Sequence, residues 1–118
     1  MSGVCLESGK ESAALQAYEK ALRFPPVAPE LANNMAWLLL TAKDSSLRNP
    51  VRALDLARSA ARSEQGYILD TLATALWANG RVEEAVAVEK KAVALDRENR
   101  SYYQERIDTF QQESWGQE

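Results

Sequence analysis

Small residues recur in pairs seven positions apart: Ala14 with Ala21, Ala53 with Ala60, and Ala85 with Ala92. The first members of these pairs are separated by 39 and then 32 residues, on either side of a repeat of roughly 34. This period constrains the fold more than any other feature. A unit that short buries its apolar face only by stacking on a neighbour. The stretches around the pairs carry helical spacing. Glu11 to Arg23 puts Ala14, Leu15, Tyr18, Ala21 and Leu22 on one stripe, the three-four pattern of an amphipathic helix. Leu31 to Ala42 is apolar around much of its circumference and reads as an inner helix. A helix after Pro50 carries Val51, Leu54, Ala57, Ala60 and Ala61; Tyr67 to Ala78 and Val82 to Leu95 are the next two. A last helix from Ser101 carries Tyr103, Ile107 and Phe110.

Punctuation falls between these stretches. Gly9 precedes the first and Pro25-Pro26 follows it. Asn49 reads as an N-cap with Pro50 at the first helical position, where its missing N–H costs nothing. Asn79-Gly80 reads as a stop, because glycine takes the left-handed conformation that closes a helix. Ser101 with Gln104 reads as a capping box. No sustained polar/apolar alternation signals a strand. The connections are short apart from Lys43 to Asn49, so neighbouring helices are expected to run antiparallel. The prediction is a single all-α domain.

Several of these residues resemble the tetratricopeptide repeat. Ala14, Tyr18, Ala21 and Pro26 match the small, aromatic, small and proline positions of the family's second helix. Met35, Ala36 and Leu39, and again Leu72, Ala73 and Leu76, match the large, small and large positions of its first helix. Gly80 to Ala85 is similar to the turn between them. The resemblance runs from roughly Val4 to Asn99. It implies antiparallel helix hairpins stacked as a right-handed α-solenoid, about two and a half repeats long with a C-terminal capping helix. Residues 4–26 would be a partial repeat, 29–65 a repeat with a long inter-helix loop, 66–98 a repeat and 99–114 the cap. Helices would cross at Ala36, Ala53, Ala73 and Ala85, where a larger side chain would force them apart at about 1–3 kcal/mol. The match is incomplete. Ala57 and Glu89 stand at aromatic positions, Gln65 and Arg97 at proline positions, and the early tryptophan of the first helix is missing. Sel1-like repeats are the alternative family. Met1 to Ser8 is too short for a full first helix, and repeat arrays need capped ends. The chain is therefore expected to be the C-terminal part of a longer array.

First helices line the concave face of such a solenoid. The resemblance puts Glu30, Asn33, Asn34, Trp37 and Thr41 there from one helix, and Tyr67, Asp70, Thr71, Thr74 and Trp77 from the next. Amides that both donate and accept, beside large aromatics, suit recognition of a peptide or protein segment. Each has a plainer reading: Trp37 as core, Asn33 and Asn34 as caps at a helix start, the long loop as a surface insertion rather than a second interface. A basic clamp for a ligand carboxylate is not expected. Asn34 matches the asparagine of the chaperone-binding subset, but Tyr67 and Thr71 occupy its lysine and arginine positions, and nothing there would neutralise the anion.

Composition narrows the function classes. The 118 residues hold 14 basic and 17 acidic side chains, a net charge of -3 that gives no basic stripe for nucleic acid. There is no histidine, the commonest general base and metal ligand. No glycine-rich phosphate loop occurs. Cys5 is the single cysteine, compatible with a reducing compartment and read as a small structural residue. The paired Glu83-Glu84 and the Asp96/Glu98 cluster read as solvated charge. No apolar run approaches the ~18 residues of a membrane span. The expectation is a non-catalytic interaction scaffold without cofactor or metal, soluble and cytoplasmic, whose groove holds a protein or peptide. The alternative is a self-associating structural module, a homo-oligomer joined through repeat ends or through the groove.

Overall fold

The three-four spacing produces helices wherever it runs between breakers. The computed structural model describes the backbone of residues 2–115 and the side chains of residues 9–115. Within them the chain forms α1 (Ser2–Leu22), α2 (Pro29–Thr41), α3 (Pro50–Ala60), α4 (Gly66–Ala78), α5 (Val82–Leu95) and α6 (Arg100–Gln112). Single 3-10 turns, Ser45–Leu47 and Arg97–Asn99, precede α3 and α6. No strand occurs among the described residues.

The ends follow their local chemistry. The Asn49 side chain accepts a hydrogen bond from the Arg52 amide at 3.2 Å, with Pro50 opening α3. α4 closes on Gly80 at φ 79°. The Arg81 amide donates to the Leu76 carbonyl and the Gly80 amide to that of Trp77, both at 2.9 Å. That is the paired bonding of a glycine-stopped helix. Two ends depart from expectation. α1 runs through Gly9 without a break, so Ser2 to Ser8 continue the same helix instead of forming the tail of another. Gly9 is exposed with open space around it, and an interior glycine costs only about 1 kcal/mol. α6 starts at Arg100, without a side-chain cap, because the preceding 3-10 turn leads straight into it. Ser101 therefore sits inside the helix. Met1 and the Cys5 side chain lie outside the described residues.

Each helix packs on the next in chain order; α2 also packs on α4, and α4 on α6. One core runs through α2 to α6, with Leu15, Tyr18 and Leu22 of α1 packed against it. Ala36, Ala53, Ala73 and Ala85 are fully buried in that core. Small side chains let the helix backbones approach closely, and the larger Met35, Leu76 and Phe110 fill the space between. The long loop is tied down at both ends. Glu11 of α1 accepts from the Lys43 amide at 2.8 Å and the Asp44 amide at 3.2 Å. The Asn49 amide donates to the Leu39 carbonyl at 2.9 Å.

Gly66 opens α4 in a close approach. A Cβ there would lie 2.8 Å from the Asp96 Cβ and 2.9 Å from the Tyr103 hydroxyl. The Gly66→Ala variant is expected to lose about 1–3 kcal/mol by overpacking, more than the ~1 kcal/mol that alanine gains in helix propensity. Urea unfolding measures this directly, and a midpoint at or above that of the wild type would contradict it.

Candidate functional site

The faces of α2 and α4 that the core does not consume meet at a cavity of about 530 Å³ open to solvent. α2 supplies Asn33, Asn34, Trp37, Leu38 and Thr41, successive turns of one helix face. α4 supplies Tyr67, Asp70 and Thr71, α6 supplies Tyr102 and Tyr103, and α1 closes one side with Ala14 and Tyr18. Of the ten residues singled out from the sequence, seven line this cavity together. The other three lie elsewhere. Glu30 is exposed in the first turn of α2. Thr74 and Trp77 face the core at 2% and 7% exposure. Trp77 packs on Phe110 with ring centroids 5.3 Å apart, and its indole N–H donates to the Glu113 carbonyl at 3.0 Å.

A polar network lies behind the lining. The Tyr102 hydroxyl donates to Asp70 Oδ2 at 3.2 Å, and Arg106 Nε reaches Asp70 Oδ1 at 3.4 Å. Arg106 also donates to the Thr74 hydroxyl, which itself donates to the Asp70 carbonyl at 2.8 Å. The guanidinium carbon lies 5.8 Å from the Trp37 ring centroid and 5.0 Å from that of Phe110, within cation–π range. Burial, and then the Asp70 carboxylate, push the Tyr102 phenol up. Tyr103 is raised further by burial and by its 2.9 Å hydrogen bond to Asp96. Asp96 is held below the usual carboxylate range by the Asn99 amide and the Tyr103 hydroxyl.

Among the described residues, two buried groups have oxygens that no donor satisfies. Asn33, 6% exposed, has an unpartnered Oδ1, and Glu89 of α5, fully buried, has two unpartnered carboxyl oxygens. Burial is the main cause that pushes the Glu89 carboxyl up to about 10; the neighbouring Asp70 adds to it and Arg106 opposes it. Glu89 is therefore a neutral acid at physiological pH.

The sequence reading missed Tyr18, Leu38, Tyr102, Tyr103, Arg106 and Glu89. Periodicity held a signal for two of them. Tyr102 and Arg106 lie 35 positions beyond Tyr67 and Thr71, close to the repeat of roughly 34 that the sequence suggests. Helix spacing separately puts Glu89 on the stripe of Ala85, Val86 and Ala92, although a glutamate there says nothing of its protonation state.

No group of three or more His, Cys, Asp or Glu side chains placed to hold a metal occurs among the described residues. No described helix is long and apolar enough to cross a membrane. Compared with protein-family models, curated proteins and solved structures, the chain matches none. The tetratricopeptide resemblance accordingly rests on the chain's own residues.

Proposed function

We propose that this chain is a non-catalytic scaffold of tetratricopeptide type that binds a peptide or protein segment in the cavity between α2, α4 and α6. One observation carries the reading: α2, α4 and α6 converge aromatic and polar side chains on one open cavity that α1 closes on one side, while the intervening α3 and α5 contribute nothing to its lining. Stacked helical hairpins lay out a solenoid groove in this way. The succession of helix contacts, each on its chain neighbour and α2 on α4, is compatible with the same stacking. Large aromatics beside amides supply hot-spot area together with partners for an extended backbone.

The test is a lysate pull-down with mass spectrometry, comparing the wild type with an Asn34→Ala, Tyr67→Ala double variant. Both side chains are exposed, so the variant is expected to keep its helical circular dichroism. Trp77 is left intact because it supports the core. A partner held by the wild type and reduced at least tenfold by the variant is the expected result. Capture of the same proteins by both would remove the groove from the function.

Self-association, through repeat ends or through the groove, is the second reading. The Trp115 indole N–H donates to the Leu40 carbonyl of α2 at 3.3 Å, and the Glu113 carbonyl accepts from Trp77. The chain thus lays its own C-terminal residues against α2 and α4. Light scattering on both proteins separates the readings: a wild-type dimer that the groove variant dissociates would belong to self-association.

A further inference from the structure

We infer that the cavity receives a cationic side chain, the lysine or arginine of a bound peptide. The inference rests on the peptide-groove reading and names the chemistry that this groove selects. Tyr18, Trp37, Tyr67 and Tyr102 bring aromatic rings to the lining from all four contributing helices. Asp70 is the lining's one charged side chain, and no lysine or arginine lines the cavity. Ring faces carry negative potential and attract ammonium and guanidinium groups, most strongly where water is excluded. Asn33, 94% buried by its 6% exposure, lines the same cavity with an Oδ1 that no donor satisfies. A buried acceptor without a donor is costly, and an N–H from the ligand would supply what is missing.

The molecule already binds one cation with these groups. Arg106 does not line the cavity, yet it reaches Asp70 and lies over the Trp37 ring. Its two contacts with Asp70 and Trp37 are long, 3.4 Å to the carboxylate and 5.8 Å to the ring centroid. Asp70 has acceptor capacity beyond its bonds to Arg106 and Tyr102 and its hydrogen bond with the neutral Glu89, since a carboxylate offers about four lone-pair positions. An anionic ligand would meet the rings, Asp70 and the Asn33 oxygen with no cation on the lining. A purely apolar one would leave that oxygen unsatisfied.

Chemical-shift titration of the full isotope-labelled chain with three blocked pentapeptides tests this. The probes are alanine peptides whose central residue is lysine, norleucine or glutamate. The lysine peptide is expected to shift the amides of Asn33, Asn34, Tyr67 and Thr71 at least threefold more tightly than norleucine, and glutamate to shift none. Tyr67→Leu should weaken the lysine peptide by about two- to fivefold, while Tyr67→Phe keeps it near wild type, as the energy of one partly exposed cation–π contact requires. Tyr67 is 44% exposed, so neither change threatens the fold. Norleucine or glutamate binding as tightly as lysine would overturn the cation inference and leave the peptide groove standing. Equal lysine affinity in Tyr67→Leu would also overturn it. No shift with any probe would overturn it too; the pull-down with the Asn34→Ala, Tyr67→Ala variant then decides separately whether the groove binds protein at all.

Discussion

At about pH 8 the Glu89→Gln variant is expected to withstand more urea than the wild type, and the gap should close or reverse near pH 5. Glu89 is fully buried, its oxygens accept from no donor, and burial and then its hydrogen bond to Asp70 raise its carboxyl from 4.5 to about 10. In the unfolded chain it ionises near 4.5. Between those values the folded state holds one proton more than the unfolded state. Stability therefore falls as pH rises, by at most about 1.4 kcal/mol per pH unit. Across three units the ceiling is about 4 kcal/mol, a large share of the ~5–15 kcal/mol that holds a typical domain together. Glutamine has no proton to lose, so this slope should vanish while the side-chain volume stays. Its amide can also donate toward Asp70. Urea midpoints measured across the range give the answer, and parallel pH slopes for the two proteins would show that Glu89 is not held neutral. The residue occupies a position where the tetratricopeptide pattern carries an aromatic. A neutral acid there fills volume at a cost that an aromatic would not incur.

The second large effect belongs to Phe110. Its side chain is 1% exposed, packs on Trp77 and lies under the Arg106 guanidinium. Tyr103 and Phe110 are the only buried residues of α6. Phe110→Ala is expected to cost about 3–5 kcal/mol, the usual range for removing a buried aromatic ring. The loss should concentrate at the C-terminal end. α6 would lose its main anchor, Tyr102 and Arg106 would leave Asp70, and the cavity would lose one wall. Amide exchange in α6 should accelerate more than in α3, and Trp77 fluorescence should shift toward that of a solvated indole. A stability loss below about 1 kcal/mol would mean that α6 is held by something other than this ring.

Helix existence was legible because the three-four spacing and the caps are local. Asn49-Pro50 and Asn79-Gly80 mark their ends by backbone chemistry that needs no tertiary partner, and α5 runs from Val82 to Leu95 as its pattern indicates. Gly9 and Ser101 misled for the same local reason. Their energies are about 1 kcal/mol each, small enough for a continuing helix or a preceding 3-10 turn to override.

The cavity was legible only in part. Asn33, Asn34 and Trp37, and likewise Tyr67, Asp70 and Thr71, share a helix face by sequence spacing alone, and the packing of α2 on α4 brings the two faces to one cavity. Trp37 and Trp77 show the limit. Both are tryptophans in apolar helices, yet Trp37 lines the cavity and Trp77 is buried against Phe110. Nothing within either helix distinguishes them; the difference comes from where α6 docks, more than thirty positions along the chain. Glu89 is the sharper case. Its spacing puts it on the stripe of Ala85, Val86 and Ala92, but only the packing of α4 and α6 on α5 buries it beside Asp70. Periodicity and capping along single segments were enough to place six helices, most of their ends and the small residues that they bury. Which aromatics are core and which are lining, and which carboxyl loses its charge, came from the packing of the helices, because burial is set by contacts between segments far apart in the chain.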